Sequence, residues 1–116
     1  MPHWSESLAA CYLRSCGLRV LERNYHCRWG EIDLIMEHKL ASESILAFVE
    51  VRYRKSTEYG RPEETVSKSK QQRIIATAKH YLQNCATEDR LMRFDVVAIS
   101  WRNYAPSVTW IPEAFI

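Results

Sequence analysis

Carboxylates set inside apolar runs constrain this chain more than any other feature it carries. The runs are Gly30-Glu31-Ile32-Asp33-Leu34-Ile35 and, after a polar interval, Phe48-Val49-Glu50-Val51-Arg52. Each is too apolar for a surface loop and reads as a short strand. Strand side chains alternate between faces, so Glu31 shares a face with Asp33, and Glu50 with Arg52. If the two strands pair with those faces aligned, Asp33 and Glu50 form an acidic cluster with a cation beside it. A carboxylate on a mostly buried sheet is expensive unless it is paired or holds a metal. The residues leave both outcomes open: an ion-pair cluster that only holds the sheet together, or a site.

The flanking sequence supplies the frame. Residues 5–16 predict a helix, with Ala9, Tyr12, Leu13 and Cys16 at helical spacing, Ser5 as its cap and Gly17 as its stop. Leu18 to Tyr25 predicts a strand with one wet face, and His26 to Gly30 a turn. Glu31 to Glu37 is the next strand, with Ile32, Leu34 and Met36 on one face. The polar stretch Lys39 to Glu43 fits a hairpin connection to a third, most apolar strand, Ser44 to Arg54. Lys55 to Val66, with Gly60 and Pro62, has no periodicity and reads as a loop. Ser67 caps a long helix reaching about Cys85, with Ile74, Ala78, Tyr81, Leu82 and Cys85 as its buried stripe. Leu91 to Trp101 is a fourth strand, and Val108 to Ile111 a short fifth. The order α-β-β-β-α-β predicts an α+β (α/β) architecture: a mixed sheet flanked by helices.

Composition bounds the function. A chain of 116 residues is expected to form one domain over its whole length. The longest apolar run, Ile45 to Val49, is far too short to cross a membrane, and no signal peptide is visible. The formal charge of +2 neither demands nor excludes nucleic acid. Cys11, Cys16, Cys27 and Cys85 lack C-x-x-C spacing, which argues against zinc and for reduced thiols in a cytoplasmic protein.

Two carboxylates on adjacent strands, open to a phosphate, are hard oxygen ligands suited to Mg²⁺ or Mn²⁺. The spacing x-D-x(n)-E-x-K is the pattern of the PD-(D/E)xK nucleases, and here it reads Asp33, then Glu50-Val51-Arg52. A longer set of segments is more specific. Glu6 with Leu8-Ala9-Ala10, Glu22-Arg23-Asn24-Tyr25, Gly30 to Ile35, Phe48 to Arg54, Val66 to Lys70 with Arg73, and Arg93-Phe94-Asp95-Val96-Val97 closely resemble the YraN (UPF0102) family. That family is itself similar to archaeal Holliday-junction resolvases and other restriction-endonuclease-like proteins. The resemblance spans nearly the whole chain and implies a restriction-endonuclease-like α-β-β-β-α-β core. It also implies a divalent-metal nuclease site with Asp33 and Glu50 as metal ligands and the Val51 carbonyl as a third. Glu6 would sit near that site from the first helix. By analogy with the two-fold junction resolvases, a homodimer is expected.

Arg52 departs from the pattern, which has lysine at that position. A guanidinium stays protonated and cannot act as a general base, although it can still stabilise charge. By position, Lys68, Lys70 and Gln71 on the following helix are candidates to compensate. Arg52, Arg54, Lys55, Arg61, Lys68, Lys70 and Arg73 together predict a surface that tracks nucleic-acid phosphates, most simply those of DNA. Three functions follow: a metal-dependent nuclease acting on DNA, branched or single-stranded; a nucleic-acid-binding module of the same fold without efficient turnover; or an interaction protein whose acidic cluster is structural. Asp95 reads as a structural carboxylate paired with an arginine. Trp29 reads as turn packing, and Trp4, Trp101 and Trp110 as residues at element ends.

Overall fold

The computed structural model describes residues 3–54, 66–85 and 90–115. Lys55, Arg61 and the stretch containing Gly60 and Pro62 lie outside the described residues. The elements in order are α1 (Trp4–Ser15), β1 (Leu18–Cys27), β2 (Gly30–Lys39), β3 (Ser44–Arg54), α2 (Lys68–Asn84), β4 (Leu91–Arg102) and β5 (Ala105–Phe115). The strands form one sheet in sequence order, β1-β2-β3-β4-β5. Its pairings are antiparallel except that of β3 with β4, which is parallel. A parallel neighbour needs a long crossover, and α2 supplies it. The expected mixed α+β sheet with two flanking helices is the observed one. Among the described residues no helix is long and apolar enough to cross a membrane.

The two helices cover opposite faces. Ala9, Ala10 and Leu13 of α1 pack on Leu18, Leu34, Met36, Ala47, Val49, Val97 and Ile99. Ile74, Ala78 and Tyr81 of α2 pack on Ile32, Ile35, Leu46, Phe48, Phe94 and Val96. Strands β2 and β3 are therefore covered on both sides, which is why their sequences are nearly continuous apolar runs.

Several local expectations are corrected. The cap of α1 is His3, whose Nδ1 accepts from the Ser5 backbone N–H at 3.1 Å, while Ser5 itself is buried. The buried stripe of α1 is Ser5, Ala9, Ala10 and Leu13; Tyr12 lies beside it, exposed, because the helix presents its two alanines to the sheet for close approach. Cys85 is the C-cap of α2 and exposed, not part of its stripe. Ser67 does cap α2, accepting from the Lys70 N–H at 3.1 Å. Ile32 sides with Ile35 rather than with Leu34 and Met36, so alternation in β2 breaks at Asp33. β5 is far longer than residues 108–111. Pro106 and Pro112 disguise it in sequence, but an edge strand tolerates prolines.

Opposite Asp95, β5 bulges, with Glu113 at φ 51. Asp95 is wholly buried and fully partnered. Arg93 Nε donates to both its oxygens at 3.0 and 3.1 Å, Trp110 Nε1 at 3.0 Å and the Glu113 N–H at 3.2 Å. Asp95 is thus the structural carboxylate expected, and it pins the bulge of the edge strand.

Candidate functional site

Strands β2 and β3 pair from Lys39 opposite Ser44 down to Leu34 opposite Val49, and there the pairing stops. Beyond that point β2 continues beside β1 to Gly30, while β3 continues beside β4 to Arg54. The sheet forks. Asp33 and Glu50 are the first residue on each prong. That register, not the strand faces alone, brings them together.

Their carboxyls lie close enough for each to shift the titration of the other. The Val51 N–H, freed from sheet pairing on the fork side, donates to Asp33 Oδ2 at 2.8 Å. An extended residue projects its N–H and C=O to the same side, so the Val51 carbonyl faces the same gap. Glu50 is only 4% exposed, and Asp33 is half-buried. Burial raises both carboxyls above their ordinary values, most for Glu50, which burial and the neighbouring Asp33 charge push to about 7. The Val51 N–H opposes the rise at Asp33, so Glu50 is the more strongly raised of the two.

Cations answer this charge from α2 and β3. Lys70 Nζ lies 3.2 Å from Glu50 Oε2, nearer than Arg52 Nη1 at 3.7 Å. Among the residues expected to compensate for Arg52, Lys70 is therefore the one placed against the carboxylates. Lys68 is exposed one turn-edge away, and Gln71 directs its amide to the Val66 carbonyl at 3.1 Å, closing the start of α2. Arg54 is exposed at the end of β3.

Glu6 reaches the same place from α1. Its carboxyl is raised, first by burial and then by Asp33 and Glu31. The Asn24 side chain, from β1 in a left-handed conformation at φ 51, opposes that rise. Asn24 was not singled out by sequence; an asparagine inside a strand, where the residue is disfavoured, was the available sign. The Val51 N–H was invisible for a different reason, since a backbone group carries no residue type.

Beside the carboxylates opens a cavity of about 400 Å³ lined by His26, Cys27, Gly30, Glu31, Lys70, Arg73 and Ile74. Gly30 shapes it. Its φ is +151, and a Cβ there would stand 3.2 Å from Thr77 Oγ1, so only glycine lets the hairpin lie this close on α2. Thr77 is buried beneath this contact and donates to the Arg73 carbonyl.

No cluster of three His, Cys, Asp or Glu side chains able to cage an ion occurs among the described residues. The donor set does fit a hard divalent ion of the Mg²⁺ kind, which keeps several waters and takes one or two carboxylates rather than an all-protein cage. Asp33, Glu50 and the Val51 carbonyl offer oxygens only, and the mutual repulsion that raises the Glu50 carboxyl is what a cation would relieve.

Comparison with known proteins gives one consistent family. The model of UPF0102, described as an uncharacterised protein family, matches residues 5–99. A UPF0102 protein of Nitrosococcus oceani is 46% identical over 112 residues, covering 96% of this chain and 87% of the relative. One from Psychromonas ingrahamii is 46% identical over 111 residues, covering 96% and 85%. Among solved structures, that of Pyrococcus furiosus SfsA in complex with Ca²⁺ aligns with 95% of this chain and 60% of its own. It does so at 11% identity with a TM-score of 0.32, a likeness that carries no argument.

Proposed function

The chain belongs to UPF0102, and for this member of an uncharacterised family we propose a divalent-metal-dependent hydrolysis of nucleic-acid phosphodiesters, with DNA as substrate. The observation that carries the reading is the Asp33–Glu50 pair at the sheet fork. Glu50 is buried and Asp33 half-buried, burial raises both carboxyls, and Lys70 and Arg52 flank Glu50. Two acids forced together serve a sheet poorly on their own; they serve a cation well.

Asp33, Glu50 and the Val51 carbonyl would hold Mg²⁺ or Mn²⁺. When bound, the ion supplies Lewis-acid polarisation of a phosphoryl oxygen and a more acidic water. The chain's own residues do the rest. The Val51 N–H fixes one Asp33 oxygen beside Glu50. Lys70 holds Glu50 in place and stabilises negative charge developing at phosphorus. Arg52 adds charge without accepting a proton. Arg73, across the neighbouring cavity, gives the adjoining phosphate a partner. Such a protein works where DNA and reduced thiols coexist, in the cytoplasm.

The test is cleavage of duplex, single-stranded and junction DNA by purified protein with Mn²⁺. Cleavage is expected in the wild type and lost in Asp33→Ala. Activity that persists unchanged in Asp33→Ala would sink the proposal. A second reading is favoured by the substitution at residue 52: binding without turnover. It predicts salt-sensitive binding, no cleavage, and a gain of cleavage in Arg52→Lys.

A further inference from the structure

The tip of the β1–β2 hairpin rests on α2, the helix that carries Lys70. Contact is made at Gly30, where an added Cβ would meet Thr77 Oγ1 at 3.2 Å and Arg73 Cβ at 3.5 Å. A cavity opens on each side of that contact along the helix. Toward the N-terminus of α2 is the one already described, lined by Gly30, Lys70 and Arg73 among others. Toward the C-terminus is a second, of about 260 Å³, lined by Trp29, Ala76, Lys79, His80 and Gln83. Lys70 and Arg73 of the first, then Lys79 and His80 of the second, follow one another along one helix. Lys70 Nζ is also the cation 3.2 Å from Glu50, so the track made by the two cavities begins at the carboxylates.

The second cavity has the chemistry of a base site. Trp29, which reads from sequence as turn packing, is 48% exposed. Arg28 lays its guanidinium over that ring at 4.5 Å, and Lys79 brings another cation to the cavity the ring lines. His80 is held by Tyr25, whose hydroxyl meets its Nδ1 at 2.5 Å, which leaves Nε2 for a ligand. The Gln83 amide offers a donor and an acceptor side by side, the complement of a base edge. A ring, two cations and hydrogen-bonding groups together suit an unpaired nucleotide: its base stacks, its phosphate is neutralised and its edge is read.

Charge argues for the same occupant. α2 carries Lys68, Lys70, Arg73 and Lys79 and no carboxylate in 17 residues, in a chain whose formal charge is only +2. A helix so one-sided in a nearly neutral chain fits a polyanion, and a polyanion that also supplies planar rings is a nucleic-acid strand. From Lys70 to His80 the helix rises about 15 Å, about four nucleotides at the stacked spacing of roughly 3.4 Å. A duplex hides its base faces, so Trp29 can stack only where the strand is unpaired.

We propose that Trp29, with Lys79, His80 and Gln83, holds an unpaired base of the strand whose phosphates pass Lys70 and Arg73, so that the substrate is single-stranded on the hairpin side of the Asp33–Glu50 pair. This rests on the phosphodiester reading of that pair and goes further by naming its substrate class.

Fluorescence anisotropy of a labelled strand of about 12 nucleotides, and of the blunt duplex of the same sequence, reads binding without turnover when no divalent ion is added. Trp29→Ala is expected to weaken single-strand binding by about 5- to 100-fold and to leave duplex binding as in the wild type. Tryptophan emission gives a second readout. Stacking on the strand quenches the wild type, and Trp29→Phe, which keeps a ring, is expected to keep most of the affinity and to lose that part of the quench. This conservative variant serves should Trp29→Ala not fold. Equal losses on strand and duplex, unchanged single-strand affinity in Trp29→Ala, or a quench undiminished in Trp29→Phe overturns the base site. So does a wild-type dimer that Trp29→Ala turns into monomer with DNA affinity intact, since the ring is then a contact between copies. If the base site fails while Asp33→Ala still abolishes cleavage, the phosphodiester reading survives; if the wild type binds no nucleic acid at all, both fall.

Discussion

Replacing Glu50 by glutamine should remove most of the pH dependence of this protein's stability between mild acid and mild alkali. A carboxyl that titrates at 4.5 in the unfolded chain and at about 7 in the folded one binds its proton more tightly when folded. Between those two values the folded state holds more protons than the unfolded, so stability falls as pH rises. The stabilisation is complete below the unfolded value and is lost as pH passes the folded one. The difference corresponds to about 3 kcal/mol, or roughly 10 °C in Tm for a chain of this size. Asp33 and Glu6, also raised, act in the same direction. His38, lowered first by burial and then by Arg93, acts in the opposite one. The informative quantity is therefore the difference between wild type and Glu50→Gln, measured by thermal or urea unfolding in the absence of divalent ions at about pH 5 and about pH 8. The wild type should lose stability over that interval relative to the variant. Adding Mn²⁺ at the higher pH should restore it in the wild type and not in Glu50→Gln, because a ligand that binds only the folded state stabilises it. Parallel pH–stability curves for the two proteins would refute the claim that burial and Asp33 hold a proton on Glu50.

Other perturbations follow from the same geometry. Asp95→Asn leaves Arg93 buried without its anion and should cost about 3–5 kcal/mol in urea unfolding. Glu37 is held down to about 2 by Arg19, Ser44 and Arg90. Glu37→Gln should therefore cost about 1 kcal/mol, Arg19 being largely exposed. That loss is present above the ordinary 4.5 and disappears as pH falls through about 2, readable as a flatter acid limb in a pH series of melting curves. Lys70→Ala should weaken DNA binding and reduce the log–log salt slope by about 0.9, and it should move the Glu50 titration upward, since Lys70 favours the anion.

Much of the architecture was legible because this sheet's signals are local. Ser67 before a helical stripe, the polar interval before Ser44, and apolar runs buried on both faces each follow from a few neighbouring residues. Only the middle of the edge strand, Val108 to Ile111, was legible, because Pro106 and Pro112 are breakers anywhere but at an edge, and edge position is a tertiary property. The cap of α1 was misjudged by two residues for a similar reason: Ser5 has the chemistry of a cap, but the sheet buries it and leaves the task to His3. At the candidate site, the juxtaposition of Asp33 and Glu50 could be anticipated from spacing. The fork could not, since a pairing that stops leaves no mark in residue type. Nor could the nearness of Lys70 be separated from that of Lys68 before the pitch of α2 against β3 was known.

Residue 51 carries two duties on two different sets of atoms. Its side chain packs with the α1-side core, while its amide steadies a carboxylate across the gap. A library of substitutions at this position should therefore sort by size and greasiness alone, with isoleucine tolerated and aspartate not, while the electrostatic service continues under every residue but one. Proline, which has no N–H to give, is the replacement that would silence the backbone's contribution at a single stroke.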